Sequence, residues 1–145
     1  MAAILGGIVG ALAAAILQYV TNVLYENIST INDHIEEIKG IEVRAIQYWL
    51  IDPASDQSAE DESGALLQGA MSASAMFNIN GRSLLGCHHD KYIELDQQLF
   101  EAATGGDFRG AAKKPDYQRV EEISTICCEI RALLRKCRKA QFGAK

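Results

Sequence analysis

The chain has 145 residues, with 19 acidic side chains against 14 Lys and Arg, a formal net charge of −5 and 48% hydrophobic residues. That length leaves room for one small core rather than two, and the net acidity argues against a binder of duplex nucleic acid. Cys87, Cys127, Cys128 and Cys137 lack the regular spacing of a disulfide framework and read as reduced thiols.

The first 25 residues carry no Asp, Glu, Lys or Arg. At about 1.5 Å per residue a helix of this length reaches roughly 37 Å, against about 30 Å of bilayer hydrocarbon, so residues 1–25 are expected to form a transmembrane helix. A cleavable signal peptide would carry a basic leader, which is missing. Small residues recur every fourth position through Gly6, Gly10 and Ala14, and Gln18 and Asn22 continue the row. Residues four apart share a helix face, which makes this row the expected oligomer or pore interface, with the amides turned to a neighbouring helix or a wet lumen. Lys39 and Arg44 follow the segment while no cation precedes it. A single pass through the inner (cytoplasmic) membrane is therefore expected, amino terminus outside and residues 26–145 cytoplasmic.

Past the anchor, Leu24, Ile28, Ile31, Ile35, Ile38, Ile41, Ala45 and Tyr48 or Trp49 keep a helical spacing, so a neck helix over 26–51 should continue the first segment without interruption. Asp52-Pro53 ends it. The polar run from Ala54 to Ser63 is an exposed loop. A second helix over 61–103 is expected, kinked near Asn78–Gly81 and stopped by Thr104-Gly105-Gly106. A C-terminal helix over 115–141 begins at Pro115 and carries Val120, Ile123, Cys127, Ile130, Leu134 and Cys137 on one side. No strand-like alternation occurs, and the expected fold is an oligomeric all-α bundle of the neck and two further helices.

Charge is unevenly placed. Glu26–Glu62 holds ten acids against Lys39 and Arg44, whereas Glu129–Lys145 holds six basic residues against one acid. Cations near the end of the last helix suit its dipole, and Arg131, Arg135, Arg138 and Lys139 are candidates for holding an anion or an anionic lipid surface.

The densest reactive stretch is Arg82-Ser-Leu-Leu-Gly-Cys87-His88-His89-Asp90. Its R-x5-H spacing resembles the Rx4-6H element of HEPN-type ribonucleases, small helical domains that build a composite site by pairing copies. The resemblance implies Arg82 holding a phosphate and His88 or His89 moving a proton without metal. Cys87, His88, His89 and Asp90 are adjacent rather than separated as tetrahedral zinc requires, so no metal is expected, and no cofactor loop is present.

As an architecture, an N-terminal anchor, a long neck containing IEEIKGIEVRAIQYWL and a small helical domain resemble the membrane effectors of CRISPR and antiphage cassettes, including Csx-type accessory proteins. That resemblance implies a non-enzymatic homo-oligomer in the lipid bilayer that forms a pore or perturbs the membrane. A defence-system protein or a nucleotide signal would gate it. The alternatives are a membrane-tethered HEPN-like ribonuclease and a small scaffold subunit of a larger membrane complex.

Overall fold

The computed structural model describes residues 2–110 and 113–141, with side chains from Leu12 onward. Five α-helices follow in order: α1 (Ala2–Leu50), α2 (Gln57–Ser74), α3 (Phe77–Leu85), α4 (His89–Thr104) and α5 (Tyr117–Gln141), with a 3-10 turn (Gly86–His88) between α3 and α4. There is no strand among the described residues, and the molecule is an all-α bundle.

The lower half of α1 is the axis on which the bundle packs. Ile31, Ile35, Ile38, Ile41, Ala45, Tyr48 and Trp49 are buried along it, and their steps of three and four put them on one face. Ile123, Cys127, Ile130, Leu134 and Cys137 of α5 close over that face, joined by Tyr92, Leu95 and Leu99 of α4 and Leu67 and Met71 of α2. Each fully buried Ile or Leu contributes about 1.5–3 kcal/mol, so this shared stripe is what holds the helices together.

Helix ends follow local chemistry. Asp52-Pro53 closes α1, with the Asp52 carboxylate accepting the Ala54 N–H at 3.0 Å. Asp56 caps α2 by accepting the Ala59 N–H at 2.9 Å, which starts that helix at Gln57 rather than near residue 61. Asp116 does the same for α5 through the Arg119 N–H at 2.9 Å, so α5 begins at Tyr117, after Pro115. The stretch read as one kinked helix over 61–103 is α2, α3, the 3-10 turn and α4. Asn78–Gly81 lies inside α3. The sharp change of direction falls instead at Gly86, whose φ of 54° and ψ of −125° only glycine adopts at little cost.

The upper half of α1 stands clear of the bundle, and every residue from Leu12 to Val23 is exposed. Among the described residues no helix is long and apolar enough to cross a membrane. That finding corrects the expectations of a transmembrane helix over 1–25, a single-pass protein of the inner membrane and a pore. From Leu12 the uncharged run ends at Tyr25, a length of about 21 Å against the 30 Å or so of hydrocarbon, and Gln18, Thr21 and Asn22 interrupt it. Met1 and the side chains of residues 2–11, Gly6 and Gly10 with them, lie outside the described residues.

Candidate functional site: a projecting helix over a polar-pinned core

Arg82 is exposed in the last turn of α3. His88 closes the 3-10 turn and His89 opens α4. The R-x5-H pair therefore spans the Gly86 break and the change from α-helix to 3-10 turn, rather than one helix face. His89 has a packing role: a Cβ at Gly81 would stand 3.6 Å from its Cδ2, and its Nδ1 lies 3.5 Å from the Asp90 carboxylate. Cys127 and Cys137 are buried while Cys87 and Cys128 are exposed, and burial pushes the Cys127 thiol up to about 12. No group of three or more His, Cys, Asp or Glu among the described residues stands close enough to hold a metal.

The basic end of α5 is divided between two duties. The Arg131 guanidinium donates to the Glu42 carboxylate of α1, and Arg138 donates to the Asn32 side chain at 2.7 Å. Arg135 and Lys139 remain exposed, one turn apart.

Three groups organise the interior, of which the sequence reading singled out only Tyr48 and Trp49. His34 is 1% exposed, in the same stripe as Ile31 and Ile38. Its ring stacks on Phe77 with centroids 3.8 Å apart and planes within 3°. Nδ1 lies 2.8 Å from the Glu37 carboxylate and Nε2 lies 2.7 Å from the Tyr92 hydroxyl. An ionised carboxylate only accepts, so Nδ1 carries the hydrogen and Nε2 accepts the Tyr92 O–H. Burial lowers the His34 pKa, opposed by the hydrogen bond and charge of Glu37 and by Asp96, and keeps the ring neutral. Burial, then the charges of Asp96 and Glu37, push the Tyr92 hydroxyl well above its usual value, so it keeps its proton. The chain Tyr92 to His34 to Glu37 has a relay's geometry, but the tyrosine at its end is fully buried. It joins α1, α3 and α4, and its Glu37 end opens on a cavity of about 240 Å³ lined also by His34, Phe77 and Asn80. Its sequence signal is the position of His34, three residues from Ile31 and four from Ile38 on an apolar face.

Trp49 and Tyr48 form the second group. Trp49 Nε1 donates to the Ala103 carbonyl at 2.9 Å, and the Arg119 guanidinium lies 4.3 Å from the Trp49 ring centroid. Arg119 also donates to the carbonyls of Ala102 and Gly105 at 3.1 and 2.9 Å. The Tyr48 hydroxyl accepts the Arg109 N–H at 2.6 Å, and Lys113 Nζ sits 4.5 Å from the Tyr48 ring centroid while donating to the Ile51 carbonyl at 2.7 Å. Two cations thus satisfy carbonyls left open at the ends of α1 and α4 and rest on aromatic faces. The third group is Glu60, 2% exposed, which accepts from Gln57 at 3.1 Å and leaves Oε1 without a hydrogen-bond partner among the described residues.

The geometry of α1 identifies its exposed working face. At about 3.6 residues per turn, positions 18 apart are five whole turns apart and point the same way. Ile16, Val20 and Val23 therefore stand directly over His34, Ile38 and Ile41, which are buried against the other helices. Yet Ile16 is 63% exposed, and Leu12, Leu17, Tyr19, Val20 and Val23 are also exposed. The same arithmetic puts Gln18 over the exposed Glu36, and Ala14 and Asn22 over the half-buried Asn32 and Gly40, so that row runs beside the packed side rather than along it.

No protein-family model, curated protein or solved structure matches the chain.

Proposed function

We propose that this chain is a non-enzymatic assembly protein, in which the bundle is the body and the projecting half of α1 is occupied by the same segment of further copies. The observation that carries this reading is the continuity of the core stripe into a bare segment: the side that α2 to α5 cover below is uncovered above. Two features favour a second copy as the occupant. In a symmetric pair each patch meets its own image, and like charges would oppose each other there; the segment has none up to Tyr25. Ile16, Val20 and Val23 also follow steps of four and three, the seam spacing of paired helices, and in sequence that spacing runs back through Ala13 and Val9.

The exposed cations at the end of α5 suit a nucleotide signal as a further partner of that assembly. Arg135 and Lys139 are cations of α5 that such an anion would meet. A ribonuclease centred on Arg82 and His88 has no comparable support, because the two residues lie either side of the Gly86 break.

Charge placed on the stripe provides the test. The double variant Ile16→Asp with Val20→Asp should weaken self-association by at least about a hundredfold in light scattering, since two carboxylates would be desolvated in each copy's interface. Gln18→Asp should leave it nearly unchanged. Because all three residues are exposed, helicity and melting of the bundle should survive in both variants. A wild-type chain that stays a single copy, or a double variant that assembles like wild type, would overturn the proposal.

A further inference from the structure

A groove of about 420 Å³ lies between α2 and α4, walled by Met71, Phe100 and Phe108, with Ser72, Thr104 and Asp96 among its polar lining. Of its four polar side chains, Gln68 carries both a donor and an acceptor, and the other three offer acceptors. The Ser72 hydroxyl donates to the Gln68 carbonyl at 2.9 Å and the Thr104 hydroxyl donates to the Phe100 carbonyl at 2.8 Å, so both protons are committed to their own helices and each oxygen keeps lone pairs to offer. Asp96 accepts from the Asn78 side-chain amide at 3.0 Å. Among the described residues no Lys or Arg forms an ion pair with it. The groove therefore presents one negative charge, acceptor oxygens and the faces or edges of two phenyl rings. That combination asks for a donor-rich cation attached to an apolar body.

We infer that this groove binds a small primary ammonium compound carrying an aryl or alkyl group, with the ammonium on Asp96 and the apolar part against Phe100, Phe108 and Met71. An anion would face Asp96 unpaired. A neutral apolar compound would bring no donor to the two hydroxyl oxygens and leave the carboxylate with the Asn78 amide alone. Phe100 is 56% exposed in the unliganded chain, which a bound apolar group would reduce. The inference is independent of self-assembly, because the groove is on α2 and α4 and the projecting segment is on α1.

Calorimetric or ligand-observed NMR titration of the full chain with phenethylammonium at neutral pH tests it, with 2-phenylethanol as the neutral analogue of nearly the same shape. Saturable binding of phenethylammonium is expected, about tenfold or more tighter than the alcohol and weakened about tenfold or more by Asp96→Asn. Phe100→Ala should weaken it further, and because that ring is largely outside the core its variant keeps the fold. Equal affinity for the alcohol, no saturable binding of the ammonium at millimolar concentration, or wild-type affinity in a folded Asp96→Asn or Phe100→Ala chain would each overturn the assignment.

Discussion

His34 shows what one polar side chain does inside an apolar stripe. Its two nitrogens are used in opposite senses, one donating to Glu37 and one accepting from Tyr92, and that division exists only while the ring is neutral. Its folded pKa is depressed, with desolvation the largest cause. As the pH falls below about 6.5 the unfolded chain takes up a proton that the folded chain resists, so stability present above that value is lost as the pH falls through the folded pKa. The groups facing the ring set the size of the effect: Glu37 on α1, Asp96 and Tyr92 on α4, and the uncharged Phe77 on α3. Urea unfolding at pH 7.5 and pH 5.5 should show a larger loss for wild type than for His34→Gln, which has no proton to gain. Equal losses would mean that the ring titrates no differently in the fold. The position of His34 was readable from its spacing to Ile31 and Ile38. Its partners were not, because Tyr92 is 58 residues away and only the packing of α4 brings it there.

At the scale of elements, the helical character was legible wherever apolar residues recur at steps of three and four, as in the lower half of α1 and along α5. Stops built on local chemistry were legible too, at Asp52-Pro53 and at Gly105. The long middle stretch was not. Asn78–Gly81 has a turn's composition yet stays helical, since Phe77, Gly81, Leu84 and Leu85 on that turn are all buried. Tertiary packing overrides propensity there, and the break moves to Gly86, where the left-handed backbone needs a residue without Cβ. The join of α2 to α1 depends on another glycine. A Cβ at Gly64 would lie 3.1 Å from Tyr48 Cε2 and 3.2 Å from Arg109 Nε, while one at Gly69 would meet nothing within 4 Å. Gly64→Leu should therefore destabilise the bundle by about 1–3 kcal/mol through overpacking, whereas Gly69→Ala should stabilise it by about 0.5–1 kcal/mol through helix propensity. Thermal melting of the two variants separates the effects, and a neutral Gly64→Leu would contradict the close approach of α2 to Tyr48.

For the whole molecule the decisive feature is that one helix belongs to two environments. From Ile31 onward α1 turns inward-facing residues to the other helices, and from Leu12 to Val23 the same side is bare. In the sequence the two halves read as one uninterrupted helix, and the length and lack of charge of the first 25 residues pointed to lipid. What composition could not separate was a membrane span from a helix whose cover comes from another chain, because both demand apolar side chains and no charge. The row expected as an interface and the continuation of the packed side differ in phase. Small residues and amides marked Ala14, Gln18 and Asn22, but the phase of the helix is set by its buried half, and that phase brings Ile16, Val20 and Val23 to the packed side.

Self-association is therefore the claim on which the functional reading turns, and sedimentation equilibrium of the full-length chain at micromolar concentration tests it most directly. The expected result is a mass at an integral multiple of 15.8 kDa that falls toward one copy when Ile16 and Val20 are changed to Asp. A wild-type mass of one chain across the accessible concentration range would contradict it.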